Sequence, residues 1–255
     1  MDPATLIGVG LALVVVVLSN ILEGGDPMSL VLFPPMLLVF GATLLVSLAG
    51  GTMADAKLAM RGLVHAFKGA AQTSSDLVPS IVTLAEKARR EGLLALEDEL
   101  EKIDDPFLVR ALTLAIDGTD PQDVREMLEA EVVAQRAESK QAARFFAAAG
   151  GYAPTIGIVG TVMGLVHVLE NLAKPEELGH LIAGAFVATL WGVLSANLIF
   201  LPIAARLKRL GELEVARMEL AIEGIAALQS GSNPRIVAQK LRALLPADER
   251  DAEAA

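Results

Sequence analysis

The sequence predicts an all-α integral membrane protein, with four transmembrane helices and a helical cytoplasmic domain between the second and third. Three observations predict it. Hydrophobic residues make up 53% of the 255 positions, charged residues only 20%, and mean hydropathy is +0.53, which is too apolar for an ordinary soluble chain of this length. Two apolar segments, Gly151–Leu169 and Gly179–Ala205, contain no carboxylate, and each is long enough as a helix to cross the roughly 30 Å hydrocarbon core. Small residues recur along one face of the first (Gly157, Gly160, Gly164) and of the second (Ala188, Gly192, Ser195), the pattern that lets membrane helices approach closely.

Each span has its own warrant. The first, about Thr5–Leu22, lacks the basic stretch and small-residue cleavage site of a secretory signal and reads as a retained helix. Glu23-Gly-Gly-Asp-Pro27 then makes a tight turn. The second span, about Leu30–Gly50, holds Pro34 and Pro35, tolerable near the outer end of a helix and expected to kink it. The third and fourth are the two apolar segments above, joined by the acidic loop Glu170–Glu177. The corresponding domains are 1–51 (helices one and two), 52–149 (cytoplasmic), 150–205 (helices three and four) and 206–255 (cytoplasmic helix and acidic tail).

Basic residues set the orientation. Lys57, Arg61 and Lys68 follow the second span, Arg136, Lys140 and Arg144 precede the third, and Arg206, Lys208 and Arg209 follow the fourth, while the short loops carry mainly acids and Lys174. By the positive-inside rule the middle segment and both termini are cytoplasmic. Within 52–149 the pattern is helical throughout, broken at Gly92, near Asp104-Asp-Pro106 and at Asp117-Gly-Thr-Asp-Pro121. Asp120 is expected to cap a helix whose first residue is Pro121 and which runs on through Phe146 as a stalk of the third span. A matching helix, Ala204–Leu228, should leave the fourth span, and Asp248–Ala255 reads as a frayed acidic end.

Several chemistries find no support. The absence of Cys removes disulfides and thiol chemistry, and the three His are too few and scattered to propose a metal centre. A net charge of −10 argues against nucleic acid. No nucleophile–base set or phosphate loop is visible, so an enzyme is not expected, and neither is a cofactor other than a transported ion.

An ion crossing a membrane usually needs a midplane carboxylate, and none of the four spans has Asp, Glu, Lys or Arg well inside it. Either Thr hydroxyls and backbone carbonyls line a path, or a second protein brings the charge. Thr161 and Thr189 are the candidates, each on a small-residue face; the alternative is that each bonds its own i−4 carbonyl and only packs. Pro154 and Pro202, expected at about the same depth, form either a hinge coupling membrane to stalk or simple helix bends. Arg89, Arg90 and Glu97 surround Gly92 as a charged patch, either a solvated face or a docking surface for another charged protein.

The string Ala153-Pro-Thr-Ile-Gly-Ile-Val-Gly-Thr-Val-Met-Gly-Leu165, then Leu178-Gly-His-Leu-Ile-Ala-Gly-Ala-Phe-Val-Ala-Thr-Leu-Trp-Gly192, Ala196-Asn197 and Pro202, resembles the MotA/PomA family of flagellar stator subunits. So do Met1-Asp2-Pro-Ala-Thr-Leu6 and Ala88-Arg-Arg-Glu-Gly-Leu-Leu-Ala-Leu-Glu97, and the likeness covers nearly the whole chain. It implies a pentameric ring around two copies of a single-span MotB or PomB partner, whose membrane Asp carries the ion and whose other end grips peptidoglycan. Ion flow would turn the ring against the rotor protein FliG.

Carried over by position, the resemblance makes Arg89, Arg90 and Glu97 rotor-facing charges, Pro154 and Pro202 the paired functional prolines, and Thr161 and Thr189 ion-path threonines. Glu91 departs from close PomA relatives, which have a small residue there, and leaves the docking charge pattern open. A Thr hydroxyl suits sodium yet also occurs in relatives assigned to protons; the reading leans to sodium. The rival classes are an ExbB/TolQ-type energiser, against which the two spans before Thr52 argue, and a passive membrane scaffold, which needs the packing faces but no ion-path Thr.

Overall fold

The computed structural model describes residues 4–68, 74–245 and 249; the expected frayed end at Asp248–Ala255 lies outside them apart from Glu249. Among the described residues all regular structure is helical. The chain divides into two compact units, Met1–Ala70 with Glu138–Arg209, and Ala71–Ala137 with Leu210–Ala255.

In the first unit, α1 (Ala4–Leu22) carries aliphatic side chains on every face, and most of them, Leu11, Val15 and Leu22 among them, are exposed in the isolated chain. A helix that is apolar all round belongs in an apolar surrounding. Gly24 takes φ +81°, a left-handed conformation open to glycine, and turns the chain after α1. Asp26 then accepts the Met28 N–H at 2.9 Å and starts the short 3₁₀ turn Pro27–Leu30.

The next rod, Phe33–Ala49, is built of α2 (Phe33–Met36), a π-helical turn Leu37–Ala42 and α3 (Thr43–Ala49). Pro34 and Pro35 sit in its first turn, where the missing N–H groups have no intrahelical partner to lose. The irregularity falls one turn later, in the wider π turn.

Thr52 and Asp55 cap α4 (Met53–Lys68) reciprocally: the Thr52 N–H donates to Asp55 at 2.8 Å and the Asp55 N–H to the Thr52 hydroxyl at 3.2 Å. Hydrogen bonding from the Thr52 backbone, assisted by Gln141 and the nearby Arg144 charge, holds the Asp55 carboxyl below its ordinary 3.8. Ala59 of α4 packs in one cluster with Ala142, Phe146, Ala149, Phe200 and Leu207.

The second unit has the conventional core. α5 (Ser74–Glu91) and α6 (Pro106–Ile116) contribute Ile81, Leu84, Leu108 and Leu112, which meet Leu128, Ile225 and Leu241 from the later helices. Asp105 caps α6, accepting the Phe107 and Leu108 N–H groups at 2.8 and 3.1 Å, and its other oxygen takes an Arg217 N–H at 2.6 Å. Both side chains of that ion pair are about nine-tenths buried.

The stretch Leu93–Lys102 was expected as α-helix and is instead 3₁₀. Gly92 at φ +87° ends α5, Pro106 fixes the start of α6, and the short span between follows a three-residue rhythm: Leu93 and Leu96 face the core, while Glu99 pairs with Lys102.

Asp120 caps α7 (Pro121–Glu170) as expected, accepting the Gln122 N–H at 2.8 Å. This helix runs 50 residues without a break. From Pro175 a second long rod comprises α8 (Pro175–Leu194), a π turn Ser195–Phe200 and α9 (Leu201–Gln229). Among the described residues, α7 and the Pro175–Gln229 rod are the two helices long and apolar enough to cross a membrane; Ile7–Leu22 within α1 and the Phe33–Ala49 rod are shorter apolar helices. The final helix, α10 (Pro234–Leu244), was not anticipated. Its signals are an Asn233 cap followed by Pro234, with Val237, Leu241 and Leu245 at four-residue spacing, all buried.

Candidate functional site

The small-residue faces of α7 and α8 meet each other. A methyl group added at Gly164 would lie 2.6 Å from the Ala185 Cβ, at Gly160 2.7 Å from the Ala188 Cβ, and at Gly157 2.9 Å from the Ala188 carbonyl oxygen. From the other side, a methyl at Gly192 would sit 2.7 Å from the Ala153 carbonyl oxygen. Backbone touches backbone here, a distance only hydrogen side chains allow.

Thr161 and Thr189 lie on this seam and bond to each other. The Thr161 hydroxyl is also 2.9 Å from the Ala185 carbonyl across the helix pair and 3.2 Å from its own i−4 carbonyl at Gly157; the Thr189 hydroxyl reaches that same Gly157 oxygen at 3.4 Å. Four oxygens, two hydroxyl and two carbonyl, therefore converge within apolar segments, Gly151–Leu169 and Gly179–Ala205, that hold no carboxylate. The local i−4 bond foreseen as the alternative is present for Thr161, and the cross-helix bonds exist beside it. Arranged so, the group can accept a small cation or pass a proton between hydroxyls.

Pro154 lies inside α7, where it removes one intrahelical hydrogen bond, and Pro202 is the second residue of α9, directly after the π turn. They are not level. Gly150 abuts Leu201, so Pro202 stands beside Ala149, about 7 Å along the axis from Pro154 at ~1.5 Å per residue. The sequence hides this offset because it depends on the register of the helix pair.

Arg89 and Arg90 occupy the last turn of α5 and Glu97 the 3₁₀ segment; all three are exposed and, among the described residues, unpaired. Gly92 turns the chain between them, and Leu94, 73% exposed, projects from the same corner. Lys87 pairs with Glu99 at 2.7 Å and closes the corner from inside. That bond holds the Glu99 carboxyl below its ordinary value and the Lys87 ammonium above it.

Two features went unread in the sequence. The single Trp, Trp191, donates to the Leu30 carbonyl at 2.7 Å and lies 5.7 Å from the Phe40 ring, pinning the fourth apolar segment to the second. Thr43 and Ser47 of α3 and Ser195 are buried hydroxyls, Ser47 bonding back to the Thr43 carbonyl at 2.7 Å. A lone Trp in an apolar segment was the available signal for the first; nothing in spacing marks the second.

Fold and site together define a helical membrane protein whose polar chemistry within its apolar seam is confined to hydroxyls and backbone carbonyls. Residues 99–220 match the MotA/TolQ/ExbB proton channel family. The chain is 36% identical to Motility protein A of Bacillus subtilis over 98% of this chain and 93% of that one, and 34% identical to Chemotaxis protein PomA of Vibrio alginolyticus over 99% of each. It is similar to the solved flagellar MotAB stator complex of Bacillus subtilis, with a TM-score of 0.90 and 35% identity over 99% of this chain and 100% of that chain. The chain belongs to the MotA/PomA family of flagellar stator subunits.

Proposed function

We propose that this chain is the ring-forming subunit of a flagellar stator that couples inward flow of a monovalent cation to torque. It crosses the bacterial inner membrane four times, through α1, the Phe33–Ala49 rod, α7 and α8, with both termini cytoplasmic; the apolar lengths of these helices and the placement of Lys and Arg support that reading. Five copies surround two copies of a MotB- or PomB-type single-span partner. The likeness to a MotAB complex supports the partner, and the absence of carboxylates from the Thr161–Thr189 seam is what calls for one.

That seam carries the proposal. The ion rides on the partner's membrane Asp and leaves for the cytoplasm along α7 and α8, with Thr161 and Thr189 replacing part of its hydration shell. Neutralising the Asp removes its need for a polar environment, and the ring steps to the next subunit. Pro154 and Pro202 let α7 and α9 flex as it does. Arg89, Arg90 and Glu97 form the face that meets FliG. Sodium is slightly favoured over the proton as the coupling ion, on the coordinating oxygens.

The family match favours a second reading, since TolQ and ExbB share it: an energiser of another envelope machine, driven by protons. A passive scaffold is the third.

Rotation of tethered cells lacking their own stator, supplied with this chain and its neighbouring partner gene, tests all three while sodium is varied at fixed proton-motive force. Rotation tracking sodium establishes a sodium-driven stator, and rotation indifferent to it a proton-driven one. Membrane insertion and partner binding without rotation would overturn the flagellar reading.

A further inference from the structure

We infer that His167 and His180 form a binding site for one divalent transition-metal ion of the Zn²⁺, Cu²⁺ or Ni²⁺ type at the loop end of the α7–α8 hairpin. The two residues stand thirteen apart in the chain, and the fold places both on the wall of one cavity of about 330 Å³. Its other walls are apolar, with Leu32, Pro34, Leu38, Met163 and Leu181 among them, and among the described residues no carboxylate or ammonium group lines it.

The register of the seam brings the two imidazoles to nearly the same height. Gly164 lies against Ala185 and Gly157 against Gly192, so each step toward the loop on α7 is matched by one on α8. Continued to the loop, this pairing puts His167 opposite Ile182, two positions from His180, an axial offset of about 3 Å at ~1.5 Å per residue. The seam's backbone contact keeps the helices close, and an ion shared by the two rings would take the ~2.0–2.1 Å bond length that zinc takes to imidazole. Imidazole is a ligand that suits zinc, copper and nickel, whereas Mg²⁺ and Ca²⁺ prefer oxygens that this cavity's side chains do not offer. Both histidines are exposed in the isolated chain. Asn171 donates to the His167 carbonyl at 2.9 Å, which holds the last turn of α7 in place. With two protein ligands, water completes the coordination sphere. An ion bound there ties the two helices together beside the loop that joins them.

The test is independent of any stator activity. Cu²⁺ titrated into the detergent-purified full-length chain is followed by electron paramagnetic resonance, and Zn²⁺ by the shift it causes in melting temperature. One equivalent of Cu²⁺ should show the splitting of two coordinated imidazole nitrogens, and Zn²⁺ should raise the melting temperature. His167→Gln and His180→Gln should each lose the two-nitrogen signal and the Zn²⁺ shift while melting without metal as the parent does. The His65→Gln variant, which removes the remaining histidine of the chain, should retain both. A parent protein with no saturable binding, or a two-nitrogen signal surviving either single variant, would overturn the proposal.

Discussion

Two hydroxyls on an apolar seam give the Thr161–Thr189 pair a stake that a surface threonine lacks. Thr161→Val and Thr189→Val keep shape and remove the oxygen; each is expected to abolish ion-driven rotation with normal membrane abundance, while Thr161→Ser, which restores the hydroxyl, recovers part of it. Unchanged rotation in both Val variants would return the pair to a packing role. Gly157→Ala pushes a methyl against backbone and should destabilise by ~1–3 kcal/mol, the usual cost of overpacking. Gly184→Ala meets nothing within 4 Å and should melt like the parent, which separates close packing from any general intolerance of α7–α8. Asp105→Ala removes both an α6 cap and the partner of buried Arg217, for an expected loss of ~3–5 kcal/mol in thermal denaturation.

At the scale of elements, the Gly92 corner joins stability to display. Lys87 and Glu99 stabilise it within a definite pH window. The Glu99 contribution is present above its ordinary value of 4.5 and is lost as pH falls through the lowered folded-state value; the Lys87 contribution is present below 10.5 and is lost as pH rises through the raised one. The melting difference between parent and Glu99→Gln should therefore be open at pH 7 and close in acid. Arg89→Glu with Arg90→Glu exposes no new apolar surface and should alter stability by no more than ~0.5 kcal/mol, yet reduce torque if this corner docks a rotor. The elements themselves were unevenly legible. Caps such as Asp120 and breaks such as Gly92 announce themselves because a single residue's backbone or side chain makes them. The 3₁₀ form of Leu93–Lys102 and the π turns at Leu37–Ala42 and Ser195–Phe200 do not, since they settle a competition between neighbouring breaks and packing that no local pattern records.

For the molecule as a whole, apolar length revealed a helical membrane chain, and the glycine pattern revealed which faces pack closely. What the sequence withheld was register. Only the pairing of Gly164 with Ala185 and Gly150 with Leu201 separates Pro154 from Pro202 in height and draws His167 toward His180. The compact units also follow packing rather than span ends: α4 joins the apolar helices through Ala59 and its neighbours, a contact between segments some eighty residues apart in the chain.

The seam has a further consequence, for genetics. Where two ordinary side chains clash, a partner can be trimmed and the defect undone. Gly157 faces the backbone of Ala188 and Gly192, and Gly164 faces Ala185, so next to nothing on the opposing helix remains to be trimmed. Second-site revertants of a seam lesson in bulk must then arise elsewhere, in residues such as Trp191, Phe40 or Leu38 whose rearrangement lets an entire helix move aside.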